Sequence, residues 1–113
     1  MLVRLDAAFE IALGIAVVVL TASGALGGAD FPWPVGNVVL LVAGAGLVVL
    51  GLVIWSGGLG LELLAAGNGV FAIAGLVWLT AVSGFSSAGV AVVAVTITGL
   101  GLLAAAQAVS LRA

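Results

Sequence analysis

The sequence predicts an all-α integral membrane protein, four antiparallel transmembrane helices in one up-down bundle, and three observations predict it. The 113 residues are 65% hydrophobic and only 5% charged, whereas a soluble domain carries about 25% charged residues to cover its surface. The mean hydropathy is +1.56, far from the low hydrophobicity and high charge of a disordered chain. The apolar residues fall into four long segments divided by three short breaks rich in Gly, Pro, Ser and Asn. At ~1.5 Å rise per residue, roughly twenty helical residues match a hydrocarbon core of about 30 Å.

The first span is expected at residues 7–26. Asp6 precedes it and is read as a cap for the open helix amides at the positive end of the helix dipole. Residues 1–28 superficially resemble a secretory leader, with Ala22, Ser23, Gly24 and Ala25 as a small-residue cleavage site. The region before the apolar run sets Arg4 against Asp6 and Glu10, which does not suit a leader, so a retained span is expected. Ala8, Ala12 and Ala16 form a stripe with the spacing of a close helix contact.

The break at residues 27–37, GGADFPWPVGN, is the strongest turn signal in the chain. Pro32 and Pro34 lack amide donors and push the residue before each out of the α region. Phe31 and Trp33 suit the headgroup level, and Trp33 is expected to anchor that interface.

The second span, about 35–55, has the small centre Ala43–Gly44–Ala45–Gly46, which admits a neighbouring backbone. Trp55 closes it as the anchor at the opposite interface. Ser56, Gly57 and Gly58 allow only a tight hairpin, so the third span, about 59–82, runs antiparallel beside the second. That span carries Glu62 near its start, Asn68 about 9 Å further on by helix rise, and the small pair Ala65 and Gly69. A third break, SGFSS at 83–87, leads to the fourth span, about 88–109. There the Thr96 and Thr98 hydroxyls can bond back to the preceding turn, and Gln107 lies near the end. LTASG at 20–24 and LTAVSG at 79–84 echo each other at the ends of the odd-numbered spans, a faint trace of a duplicated hairpin.

Orientation follows from the two arginines. Arg4 precedes the first span and Arg112 follows the fourth, so the positive-inside rule puts both termini in the cytoplasm. Arg4, Asp6, Glu10, Glu62, Gln107 and Arg112 then come to one level, a polar layer on the cytoplasmic side. Glu10, four residues after Asp6 on the same face, is either a protonatable group for ion or substrate coupling or a shallow acid reaching headgroup water. Asn68 must face the bundle, since hydrocarbon leaves its amide without partners. Glu10, Glu62, Asn68 and Gln107 are therefore the candidate polar or proton site.

Much else is excluded. The chain has no Cys and no His, which removes disulfides, thiolate and imidazole chemistry and the usual zinc sites. Its net charge is −2 with no lysine, so no basic patch exists to meet nucleic acid. Six serines and four threonines have no His or Lys base to activate them. No catalytic activity and no cofactor are expected. The bilayer is the first partner, and self-association or a second membrane protein the next.

Asp6–Ala7 opening the first helix, Asn68 in the third and Gln107–Ala108 ending the fourth resemble a loose group of small bacterial four-span membrane proteins. The resemblance implies the fold and no particular activity. Glu10, Trp33–Pro34 and Trp55–Ser56–Gly57 are similar to pieces of the small multidrug-resistance transporters, whose four spans carry one essential glutamate in the first. The chain departs from that family in placing Trp55–Ser56–Gly57 at the end of the second span rather than within the third, and in having no tyrosine. The expected function is a helix bundle acting as a homo-oligomer or accessory subunit. The alternative is a small proton-coupled transporter using Glu10.

Overall fold

A computed structural model of the chain describes residues 1–32 and 35–112. Among these residues there are four α-helices, α1 (Leu2–Ala22), α2 (Asn37–Trp55), α3 (Leu61–Ala81) and α4 (Ser87–Arg112), one 3-10 turn at Gly28–Asp30, and no strand. All four are long and apolar enough to cross a membrane.

The ends of α1 differ from expectation in a way that matters for the site. The Leu5 amide donates to the Met1 carbonyl at 2.9 Å, so the helix is already wound at Leu2 and Met1 is its N-cap. Leu2 and Leu5 are good helix formers, and no Pro or Gly among the first residues forces a later start. Asp6 therefore lies in the second turn and is not a cap. At the other end Gly24 takes φ +83°, a backbone conformation that favours glycine. It stops α1 at Ala22, four residues short of the expected end, and Leu26 folds back to donate its amide to the Leu20 carbonyl at 3.0 Å.

The remaining boundaries move less. Helix α2 begins after Gly36, which is extended, and the Asn37 side chain reaches back to accept the Gly28 amide at 2.7 Å. Gly57, at φ +85°, makes the tight connection into α3. Helix α4 starts behind Ser86, whose hydroxyl accepts the Gly89 amide at 3.1 Å as an N-cap does, and it continues to Arg112.

Glycine sets the packing within each helix pair. A Cβ at Gly44 would lie 2.9 Å from the Gly14 carbonyl oxygen, and one at Gly51 would lie 2.9 Å from that of Ala7. Helices α1 and α2 are thus in backbone contact, and 14 opposite 44 with 7 opposite 51 makes them antiparallel. The small centre expected in the second span is used here through Gly44. In the second hairpin Gly69 faces Ala104, and Gly75 lies under Ile97, so α3 and α4 are also antiparallel.

The Ala8–Ala12–Ala16 stripe is not the contact face. All three residues are exposed, and α1 buries Ala7, Gly14 and Val17 instead. Both stripes are small enough to serve, but only the second offers glycine, which permits the closest approach. The two hairpins then meet through α1. Its Phe9 ring lies against Gly99 of α4, Ala7 packs with Ile54 and Leu64, and Val17 joins Leu26, Phe31, Leu40 and Val93.

Candidate functional site

Where α1, α3 and α4 converge, the interior is polar. Asp6 is 0% exposed, Gln107 0% and Asn68 6%. The Asn68 Nδ2 donates to Asp6 Oδ2 at 2.6 Å, and the Gln107 Nε2 donates to the same oxygen at 2.7 Å. Asn68 Nδ2 also donates to Gln107 Oε1 at 3.1 Å. One carboxylate oxygen thus gathers two amides from two other helices. Both bonds are buried, where a hydrogen bond is electrostatically stronger than in water. The other oxygen, Asp6 Oδ1, is buried with no hydrogen-bond partner.

Glu10 follows one turn later on the same face of α1. It is 4% exposed and makes no side-chain hydrogen bond among the described residues. Its one charged neighbour is Asp6. Among the described residues no cation offsets the pair. Arg4 is exposed and turned elsewhere, with its guanidinium carbon 5.0 Å from the centre of the Trp55 ring, a cation–π contact. Arg112 is exposed at the end of α4.

Of the expected polar layer, the structure joins Asp6 and Gln107, adds Asn68 to them, and sets Glu10 one turn along α1 from Asp6. It leaves out Glu62, which is exposed. Glu62 and Asn68 are six residues apart, a turn of about 240° around the helix, so the two cannot share a face. Arg4 and Arg112 do not pair with the acids. Trp55, one of the two expected anchors, is 50% exposed at the end of α2; Trp33, the other, lies outside the described residues. The Thr96 hydroxyl donates to the Val92 carbonyl at 2.8 Å, the expected back-bond. Asp6 is the residue that sequence reasoning misplaced. Its signal was available, because Asp6, Asn68 and Gln107 are the three polar residues in the marks quoted for the four-span resemblance.

A second polar feature closes the opposite end. The Asp30 carboxylate accepts the Ser86 hydroxyl and, at 2.8 Å, the Gly27 amide, while the Ser86 amide donates to the Asp30 carbonyl at 3.0 Å. The Ser86 hydroxyl, then the Gly27 amide, hold the Asp30 carboxyl below its ordinary range. Beside them Phe31 stacks on Trp78 with ring centres 6.2 Å apart, and Phe85 meets Trp78 edge-on at 4.7 Å. The loop after α1 is thereby fastened to the loop before α4. We refer to this as the end clasp.

No known family, curated protein or solved structure matches this chain.

Proposed function

We propose that the chain is an integral membrane protein crossing the bilayer four times, and that its buried acids couple its conformation to proton binding. The observation that carries this reading is Glu10, a largely buried acid on α1 that has no side-chain hydrogen bond and no paired cation among the described residues. Acids inside spanning segments are expensive and tend to mark ion or proton pathways. A proton is the smallest group that relieves such a charge, and Glu10 makes no structural bond that protonation would break. Asp6, held by Asn68 and Gln107, serves as the fixed half of the pair. The chemistry is proton movement without covalent catalysis, so the protein is not an enzyme in this reading. The test is proton flux into proteoliposomes under a pH gradient, read by a trapped dye. Flux is expected with the native chain and with Glu10 present in Glu62→Gln, and its loss is expected in Glu10→Gln. Equal flux in the native chain and Glu10→Gln sinks the reading.

In this reading both termini face the cytoplasm, because the positive-inside rule favours that side for Arg4 and Arg112 in a four-span chain. A reporter on the C-terminus that is active only outside the cell would overturn that orientation.

A separate observation favours self-association as a second role. Ala8 and Ala12 line an open groove of about 470 Å³ with Ile11, Ile15, Leu52 and Trp55, and small exposed residues permit close helix approach in lipid. Ala12→Leu is expected to shift the oligomer population in single-molecule photobleaching; an unchanged distribution removes this role.

A further inference from the structure

We propose that the chain self-assembles in one register, with α3 of a second copy seated against the α1–α2 groove of the first and Glu62 of that copy paired to Arg4. This rests on the self-association role and names the surface that fills the groove.

Both surfaces are open. Arg4, Ala8, Ile11 and Ile15 recur at helix spacing along one side of α1, and the last three line the groove against Leu52 and Trp55. The Arg4 guanidinium stands over Trp55, so the groove carries a positive charge at one end. On α3, Glu62, Ala66, Ile73 and Val77 form a stripe of exposed residues. Leu64 and Asn68 are the residues that α3 buries, and Ala66 lies about 200° around the helix from each. The helix thus turns an acid-tipped stripe away from its own bundle.

Depth makes the two surfaces complementary. Gln107 of α4 meets Asp6, and Val93 shares a cluster with Val17, so α4 runs antiparallel to α1. Helix α3 is antiparallel to α4 and therefore parallel to α1. Ala7 and Leu64 belong to one cluster near the starts of α1 and α3, which brings Arg4 and Glu62 to nearly the same level. Copies inserted the same way round and related by a cyclic axis keep every residue at its own depth. Arg4 then meets Glu62 of the second copy, Ala8 meets Ala66, Ala12 meets Val70 and Ile15 meets Ile73, all in one register.

The small residues and the charges have separate tasks. Ala8 opposite Ala66 lets two backbones approach closely, which is where helix association in lipid gains its packing. An Arg–carboxylate pair adds geometric specificity, and charges at a rim fix register more than affinity. An apolar stripe alone accepts lipid as readily; the opposite charge at matching depth selects another copy of this chain. The two surfaces differ, so the contact is head-to-tail and each copy offers one of each.

The chain has no cysteine, so disulfide trapping in membranes tests the register directly. Ala8→Cys with Ala66→Cys, and separately Ile15→Cys with Ile73→Cys, should give covalent oligomers on mild oxidation, at least fivefold above any of the single variants. Ala8→Cys with Ile73→Cys should not, because ~10 Å of helix rise separates positions 66 and 73, beyond the reach of a disulfide. Glu62→Arg should lower the oligomer fraction in single-molecule photobleaching at least threefold, and adding Arg4→Glu should restore it. Glu62 lies outside the Asp6–Glu10 face, so proton flux is a separate readout from assembly. Equal trapping in all three pairs, or no recovery on the charge swap, overturns the proposal. If the native chain is oligomeric but α1 and α3 are not trapped, the register alone has failed. If photobleaching shows single copies, as a groove filled by lipid or by a foreign protein would leave them, the self-association role has failed too.

Discussion

Gln107 donates its side-chain amide to the Asp6 carboxylate at 2.7 Å, across 101 positions of sequence. The contact joins the first helix to the last and shares its acceptor oxygen with Asn68 of α3. Two hairpins that are each closely packed within themselves are thus linked to one another by a polar bond inside an apolar protein. Interhelical polar contacts of this kind are worth about 0.6 kcal/mol on average and about 1.7 at most.

The shared oxygen makes the two amides interdependent. Asn68→Leu and Gln107→Leu are each expected to cost about 1 kcal/mol. The double variant should depart from their sum by at least ~0.5 kcal/mol, as members of one hydrogen-bond network do. Unfolding free energies from denaturing-detergent titration supply the cycle. Simple additivity would mean that Asp6 is not the common acceptor.

The glycines of α2 predict opposite outcomes for the same change. A Cβ at Gly44 would meet the Gly14 carbonyl and the Val18 backbone amide, whereas one at Gly46 meets nothing within 4 Å. Gly44→Ala must push two backbones apart and is expected to lower stability by about 1–3 kcal/mol. Gly46→Ala should be neutral or gain up to ~1 kcal/mol from helix propensity. Melting temperatures of the two variants decide it, and a loss at both would be evidence against the 14–44 contact.

Asp30 predicts an acid dependence of the end clasp. Its folded pKa is lowered by Ser86 and Gly27, so its contribution is complete above the ordinary aspartate value of ~3.9. That contribution fades as the pH falls from there through the lowered folded value. Asp30→Asn should therefore be less stable than the native chain at pH 7, and the two should converge as the medium is acidified. Thermal melts across pH test this; a difference that widens in acid contradicts the assignment.

Much of the architecture was legible in the sequence because each break announces itself in glycine and proline. Gly57 turns where SGG demands a hairpin, and Asn68 faces inward because hydrocarbon allows it no other choice. Helix faces were harder to read. A helix apolar all round has no polar side to mark which stripe is buried, and α1 offers two stripes of small residues, Ala8–Ala12–Ala16 and Ala7–Gly14. Choosing between them needs the partner's surface, with Gly44 and Gly51 opposite. Asp6 was misplaced for a related reason. A capping residue and a core residue look alike in sequence until the first turn is located, and that turn starts at Leu2. Glu62 shows the converse, since its equivalent position on α3 suggested equivalent depth but six residues of helix turn it away from Asn68.

The end clasp has a mechanical consequence. It pins the two hairpins near Phe31 and Trp78, while Asp6 lies about fifteen residues back along α1, a lever arm of ~22 Å. Rotating one hairpin by ~10° about that pin would part Asp6 from its amides by ~4 Å, more than a hydrogen bond tolerates. A motion too small to disturb the aromatic stack would undo the whole polar contact. The arrangement works as a pair of tongs, hinged at the aromatic end and most sensitive where the acid sits.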